Sequence, residues 1–186
     1  MTKPQPDPLE EVLVSLQRSS RYDRIYPQLV RRLAAQEIQK RKNTREAAKH
    51  TRARLYQIGG ALINEALDFE VWRAELSSIS YEQDRPALMG FCRRMMESHV
   101  STRERLPYLE QFYGEIFNGS GEIHSILDLG CGLNPLSIPW MPFDSKFSYY
   151  GCDIFLDLIA FNQYFLDHIH SPGRFWACDL SQEFQF

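Results

Sequence analysis

The sequence has no apolar run long enough to cross a bilayer, and its first residues do not form a signal-peptide pattern. Both absences predict a soluble cytoplasmic protein. Cysteine is scarce and forms no C-x-x-C pair, so we expect neither a metal site nor a disulfide framework. The four thiols are predicted to be reduced and mostly buried: Cys92, Cys131, Cys152 and Cys178. A chain of 186 residues, 44% of them hydrophobic, suits one sizeable core with or without a small helical domain.

Basic residues are almost missing from the last part of the chain. Residues 106–186 contain 2 Lys and Arg against 10 Asp and Glu, whereas residues 1–54 contain 13 against 6. The net charge of −3 conceals this asymmetry. It indicates one surface that meets a polyanion and another that holds a cationic or hydroxyl-rich ligand.

The first hundred residues carry apolar stripes at helical spacing, which predicts a small helical domain over residues 1–98. Its basic residues include Arg45, Lys49 and Arg52, which the i, i+4, i+7 spacing places on one helix face. A charge run usually marks a solvated helix surface. The net positive charge of the region favours contact with a phosphate backbone instead. The predicted RNA-binding residues are Lys40, Arg41, Arg45, Lys49 and Arg52.

Residues 99–186 alternate strand and helix patterns after one further helix. The predicted strands cover 126–129, 147–152 and 174–178, with a helical stripe between the second and the third. This order predicts a parallel α/β sheet of Rossmann-like type. The first crossover holds Pro135, Pro139 and Pro142, so any helix in it is expected to be short or broken.

The first predicted strand runs into Asp128, Gly130 and Gly132, a strand followed by a glycine turn. Asp153 and Asp179 follow the next two strands, and ligands of such sheets lie across the carboxyl ends of the strands. The turn lacks a third glycine and a P-loop lysine, which weakens NAD and ATP as ligands.

These absences favour S-adenosylmethionine, which has no pyrophosphate but carries a sulfonium, an ammonium and a carboxylate. Acidic residues suit the two cations. An arginine suits the carboxylate, and the nearest candidates are Arg105 and Arg103. The alternative for both arginines is an exposed helix start, and the sequence leaves the two interpretations open.

Three segments make the chain resemble the aminoglycoside-resistance 16S rRNA (guanine-N7) methyltransferases of the Arm/Rmt/Sgm group. They are residues 101–106 (STRERL), 126–136 (ILDLGCGLNPL) and 20–22 (SRY). The resemblance implies a class I S-adenosylmethionine-dependent methyltransferase fold behind a helical domain that docks on the 30S subunit. It also implies methylation of guanine 1405 in 16S rRNA, without a general base, and resistance to aminoglycosides. The expected cofactor-binding residues are Arg105, Asp128, Gly130, Gly132, Asp153, Asp179 and Leu180.

Members of that group continue past the third strand with four more strands, so residues 99–186 are expected to be the N-terminal half of the methyltransferase domain. We expect a monomer that acts without a metal and away from membranes. Two alternatives stay open. The chain is either a class I methyltransferase with another substrate, or a truncated remnant that binds rRNA or cofactor without turnover.

Overall fold

The structure, a computed structural model, describes residues 7–63, 67–142 and 147–182. The described residues form two compact units. One comprises residues 7–63 with 181–182, and the other comprises residues 67–180. In the described part of the chain, no helix has the length and the apolar character needed to cross a membrane.

The first unit is helical, with α1 at Pro8–Gln17, α2 at Pro27–Lys40 and α3 at Thr44–Gly59. Short 3₁₀ turns follow α1 and α3, at Ser20–Tyr22 and Gly60–Ile63. The helices begin where the sequence favours it. Proline occupies the first position of α1 and of α2, and side chains of Asp7 and Asn43 accept backbone N–H bonds at the starts of α1 and α3. The buried interior is aliphatic: Val12, Leu16, Ile25, Leu29, Leu33 and Leu55.

One carboxylate is buried in this helical unit. Glu37 on α2 is 2% exposed. Its Oε2 accepts a bond of 3.0 Å from Arg41 Nε, and its Oε1 lies 3.4 Å from Arg54 Nη1. Burial by itself raises the pKa of Glu37, but the bond from Arg41 and the charges of Arg41, Lys40 and Arg54 outweigh it and hold that pKa below 4.5. Glu37 therefore stays ionised and links α2 to α3.

Replacing Glu37 by Gln is expected to lower the free energy of unfolding by about 1.5–3 kcal/mol at neutral pH, because hydrogen bonds to a charged group are lost. The folded pKa lies below the unfolded value, so this stabilisation is present above pH 4.5 and disappears as the pH falls through the folded pKa. Urea unfolding at several pH values measures it. Glu11→Gln, at an exposed position of α1, is the control, and an equal loss at pH 7 in both variants would contradict the assignment.

The second unit opens with four helices. They are α4 at Phe69–Ser77, α5 at Arg85–Glu97, the single turn α6 at Val100–Arg103, and α7 at Leu109–Phe117. A 3₁₀ turn at Leu106–Tyr108 joins α6 to α7. The sequence predicted a domain boundary between residues 98 and 99, where the mainly helical part of the chain ends. In the structure, α4 and α5 belong to the same compact unit as the strands. As a division of function, that boundary stays a prediction.

A parallel sheet forms the rest of this unit, with β1 at Ser125–Leu129, β2 at Ser148–Asp153 and β3 at Gly173–Ala177. The strand order is β1-β2-β3, with Leu129 opposite Cys152 and Asp153 opposite Ala177. The predicted parallel α/β sheet is thus confirmed. Within the described residues, β1 lies at an edge of the sheet.

The two crossovers differ as the sequence predicts. The first is a 3₁₀ segment, Asn134–Trp140, because prolines interrupt it. The second is α8, Leu156–His168. Phe161 of α8 packs against Phe69 and Trp72 of α4, with ring centroids 5.2 and 5.3 Å apart. These ring contacts fix α4 on α8.

Candidate functional site

A glycine turn follows β1. Gly130 and Gly132 have φ angles of 70° and 49°, in the left-handed region that favours glycine. A Cβ atom at either position would meet no described atom within 4 Å, so one side of the turn is open. The N–H groups of Gly130 and Cys131 both donate to the carbonyl oxygen of Cys152, at 2.9 and 3.0 Å. The turn is therefore attached to the end of β2 while its backbone stays accessible.

Asp153, the last residue of β2, closes this arrangement. Its Oδ2 accepts the Gly132 N–H at 2.9 Å, and its Oδ1 accepts the N–H groups of Ile154 and Phe155 at 2.6 and 3.4 Å. Burial raises the pKa of Asp153, and the three backbone N–H groups oppose that rise. The carboxylate thus holds the turn after β1 and the start of α8 together. The sequence indicated only a ligand-binding role for it.

Asn162 supports the turn from the α8 side, and sequence reasoning missed it. Its side chain is fully buried, and its Nδ2 donates to the carbonyl oxygen of Gly132 at 2.9 Å. Its Oδ1 has no hydrogen-bond partner among the described residues. The available signal was an amide within the apolar stripe of Leu158, Phe161 and Phe165, at a position where a buried polar group needs a partner.

Asp128 lies half-buried near the end of β1. Its Oδ2 accepts two bonds, one of 2.6 Å from the Tyr149 hydroxyl and one of 2.9 Å from Asn134 Nδ2. Asp128 also acts on its neighbours, because its charge adds to the rise in the pKa of Asp153 that burial causes. The two carboxylates therefore belong to one electrostatic site.

The segment after β3 completes the edge of the sheet. The N–H of Cys178 donates to the carbonyl oxygen of Asp153 at 3.0 Å, so this segment is fixed to the end of β2. Asp179 follows, half-buried, and Leu180 is 42% exposed. The structure therefore brings Asp128, Asp153 and Asp179 to the carboxyl end of neighbouring strands, as their spacing predicted.

The predicted burial of the four cysteines is confirmed. Burial and the bond to Cys152 raise the pKa of Cys178 to about 12, with further contributions from Asp153 and Asp179. Burial likewise raises the pKa of Cys131. These thiols are protonated at neutral pH and unsuited to nucleophilic chemistry. In the described ranges, no group of three His, Cys, Asp or Glu side chains is arranged to hold a metal ion.

Arg105 lies between α6 and the 3₁₀ turn that follows it. Its Nε donates to the carbonyl oxygen of Ser101 at 3.0 Å, and its guanidinium lies 5.7 Å from the ring centroid of Phe112. Burial raises the pKa of Tyr113 on α7, and the charge of Arg105 opposes that rise. Arg105 therefore lies beside α7, and Tyr113 of that helix contacts the segment that follows the glycine turn. Arg103 is exposed.

The five predicted RNA-binding residues of the helical unit divide into two groups. Arg52 Nη2 donates to the Ser15 carbonyl and hydroxyl oxygens at 2.7 and 2.8 Å, and Arg41 pairs with Glu37. Arg52 therefore links α3 to α1, whereas Arg41 bonds back onto α2, the helix that it follows; both side chains are half-buried. The other three are exposed cations: Lys40, Arg45 and Lys49.

A parallel sheet with a glycine turn after its first strand and carboxylates at the ends of its strands defines a Rossmann-like domain of the class I methyltransferase type. Two further features point to one family within this class. They are the helices that precede the sheet and the Gly-Leu-Asn-Pro sequence with which the turn continues. The chain belongs to the ribosomal RNA methyltransferase (FmrO) family, whose profile matches residues 18–184. The predicted family and fold class are confirmed.

Individual proteins that the chain resembles agree with the family match. A protein of Micromonospora echinospora named 16S rRNA (guanine(1405)-N(7))-methyltransferase is 36% identical over 179 residues, which cover 95% of this chain and 65% of that protein. The protein of the same name from Frankia casuarinae is 33% identical and covers 92% and 61%. The solved structure of the 16S rRNA methylase RmtB has a TM-score of 0.74 at 27% identity, covering 93% of this chain and 65% of that one.

A second solved structure is that of 16S rRNA methyltransferase RmtF in complex with S-adenosyl-L-homocysteine. Its TM-score is 0.73 at 27% identity, and the match covers 96% of this chain and 65% of that one. The chain therefore spans less than two thirds of the length of each of these proteins.

Replacing Asn162 by Ala is expected to lower the free energy of unfolding by about 1–3 kcal/mol, because the Gly132 carbonyl oxygen loses the buried Asn162 amide as its donor. Chemical denaturation measures the change. Asn118→Ala makes the same chemical change at an exposed position after α7 and serves as the control. Equal stability of Asn162→Ala and wild type would show that the amide does not support the turn.

Proposed function

We propose that the protein to which this sequence belongs transfers a methyl group from S-adenosylmethionine to N7 of guanine 1405 in the 16S rRNA of the 30S subunit. The observation that carries the proposal is the glycine turn near Asp128, which Asp153 binds through the Gly132 N–H and which is open on one side. The chain that contains this turn belongs to the ribosomal RNA methyltransferase family. The names of its relatives support the target nucleotide. Modification there is expected to confer aminoglycoside resistance. The protein is expected to act as a monomer in the cytoplasm, where ribosomes are.

The residues of the site fit this cofactor. The open side of Gly130 and Gly132 leaves room for a ligand against the backbone. Asp153 keeps acceptor capacity for ribose hydroxyls, since each carboxylate oxygen takes about two hydrogen bonds and its Oδ2 accepts only the Gly132 N–H among the described residues. Asp179 and Leu180 would border the adenine. RmtF binds the demethylated form of the same cofactor.

The ammonium and the carboxylate of the cofactor's amino-acid part need protein partners of opposite charge. Asp128 would accept from its ammonium group, and the Arg105 guanidinium would pair with its carboxylate. Neither role requires a proton transfer. When bound, the cofactor supplies a methyl group on a cationic sulfur.

Guanine N7 carries a free lone pair, so the chain's residues need only align the reactants and exclude water. A base within rRNA has to leave its stack to reach such a pocket.

The first test is methyl transfer itself. Purified 30S subunits are incubated with the protein and S-adenosylmethionine labelled in the methyl group, and the modified nucleotide is located by mass spectrometry. We expect one labelled methyl group at N7 of guanine 1405. Label on another macromolecule would favour the alternative of a methyltransferase with a different substrate. Cofactor binding without any transfer to 30S subunits would favour the alternative of a binding remnant.

The RNA-docking proposal rests on the exposed cations of the helical unit. Reversing Arg45 and Lys49 to Glu is expected to weaken 30S binding at least about tenfold and to lower its salt dependence, because each phosphate contact contributes about one unit to the salt slope. Cofactor affinity should not change. Filter binding at several salt concentrations measures the affinity for 30S subunits and its salt dependence. Arg174→Glu, exposed on β3, is a charge-reversal control outside the helical unit, and Arg52 is left unchanged because it bonds to Ser15. Loss of 30S and cofactor binding together would indicate misfolding rather than lost contacts.

A further inference from the structure

We propose that Tyr149 and Asn134 are positioning residues that aim the Asp128 carboxylate at the ammonium group of the cofactor. The inference rests on the proposed cofactor site and goes beyond it, because neither residue need touch the ligand. The Tyr149 hydroxyl and Asn134 Nδ2 donate to the same oxygen of Asp128, Oδ2, at 2.6 and 2.9 Å. Asp128 Oδ1 accepts no hydrogen bond among the described residues and so keeps its full acceptor capacity.

Two donors on one oxygen fix the plane of a carboxylate. The terminal torsion of an aspartate side chain is broad and twofold, so a single contact leaves it free to rotate. Asn134 and Tyr149 approach Oδ2 from different elements, the 3₁₀ segment and β2. Rotation of the Asp128 carboxylate therefore breaks at least one of these bonds.

The Asn134 amide is itself held in one orientation. The Tyr113 hydroxyl donates to Asn134 Oδ1 at 2.9 Å, so the NH₂ group is the one that faces Asp128. Ser137 Oγ donates to the Asn134 carbonyl oxygen at 2.6 Å and also contacts the Tyr113 hydroxyl. Tyr113 is 4% exposed and stacks on Phe117. An amide flip would put two acceptors, Asn134 Oδ1 and Asp128 Oδ2, against each other.

Tyr149 is suited to be a permanent donor. It has no exposed surface, and its ring lies between those of Phe147 and Phe175, with centroids 6.5 and 5.8 Å away. Burial, the Asp128 charge and the bond to Asp128 all raise the pKa of its hydroxyl. The hydroxyl therefore keeps its proton over the physiological range.

The network extends from Asp128 to α7, the helix next to Arg105. Tyr113 lies on α7, which follows the turn that begins after Arg105, and the charge of Arg105 acts on Tyr113. Asp128 lies at the other end of the network. One hydrogen-bonded chain thus joins α7, whose Phe112 ring lies 5.7 Å from the Arg105 guanidinium, to the expected ammonium partner.

The test compares two ligands that differ only in the amino-acid part. S-adenosylhomocysteine and 5′-methylthioadenosine share the adenosine thioether, but the second has no ammonium or carboxylate. For Tyr149→Phe and for Asn134→Ala, calorimetry should show about tenfold weaker S-adenosylhomocysteine binding. Binding of 5′-methylthioadenosine should stay within twofold of wild type. Tyr150→Phe, the next residue on β2 and 40% exposed, is the matched control and should bind both ligands as wild type does.

Each other outcome has a definite meaning. Equal weakening of both ligands, or of neither, in Tyr149→Phe overturns the positioning role. Tyr113→Phe, which leaves both donors to Asp128 in place, is the second variant should Tyr149→Phe fail to fold, and the same ligand split is expected with a smaller loss. In the double variant Asp128→Asn with Tyr149→Phe, the losses should not add, because both remove the same contact. Absence of S-adenosylhomocysteine binding to wild type overturns the proposed cofactor itself, and this inference with it.

Discussion

The hydrogen bond from the Gly132 N–H to Asp153 Oδ2 is the contact on which the candidate site depends. It joins two segments that are far apart in sequence, the turn after β1 and the end of β2. The other oxygen of the same carboxylate accepts the first N–H groups of the segment that leads into α8. A buried carboxylate with three backbone donors is stable only while all of them stay in place, because an unpaired buried charge is costly. Strand, turn and helix are therefore fixed together.

The remaining contacts of the turn add to this one. The Cys152 carbonyl oxygen accepts two backbone N–H groups of the turn, and Asn162 of α8 donates to the Gly132 carbonyl oxygen. The chain's own hydrogen bonds thus hold the turn on several sides. Such preorganisation removes part of the ordering cost of binding. The chain belongs to a family of ribosomal RNA methyltransferases, and a base that is methylated within RNA has to leave its stack. A preformed cofactor side is consistent with the proposed reaction.

The sequence predicted those features that depend on local pattern. The prolines of the first crossover indicated a broken helix, and the aspartates after apolar runs indicated the carboxyl edge of the sheet. It did not predict Asn162 or Tyr149, because their partners lie 30 and 21 residues away and no local periodicity encodes such contacts. For the same reason helical spacing grouped Arg52 with exposed cations, although Ser15 of α1 occupies its guanidinium. Polar residues within apolar stripes were the signal that went unused.

We predict that the Asp153 carboxylate holds the glycine turn in place in the ligand-free protein. Amide hydrogen exchange at Gly132, followed by NMR in the ligand-free protein, tests it most directly. We predict that the Gly132 amide is protected in wild type. In Asp153→Ala that protection should be lost, while amides in the middle of β2 keep theirs. A Gly132 amide that exchanges equally fast in both proteins, or equally slowly, would show that Asp153 does not hold the turn.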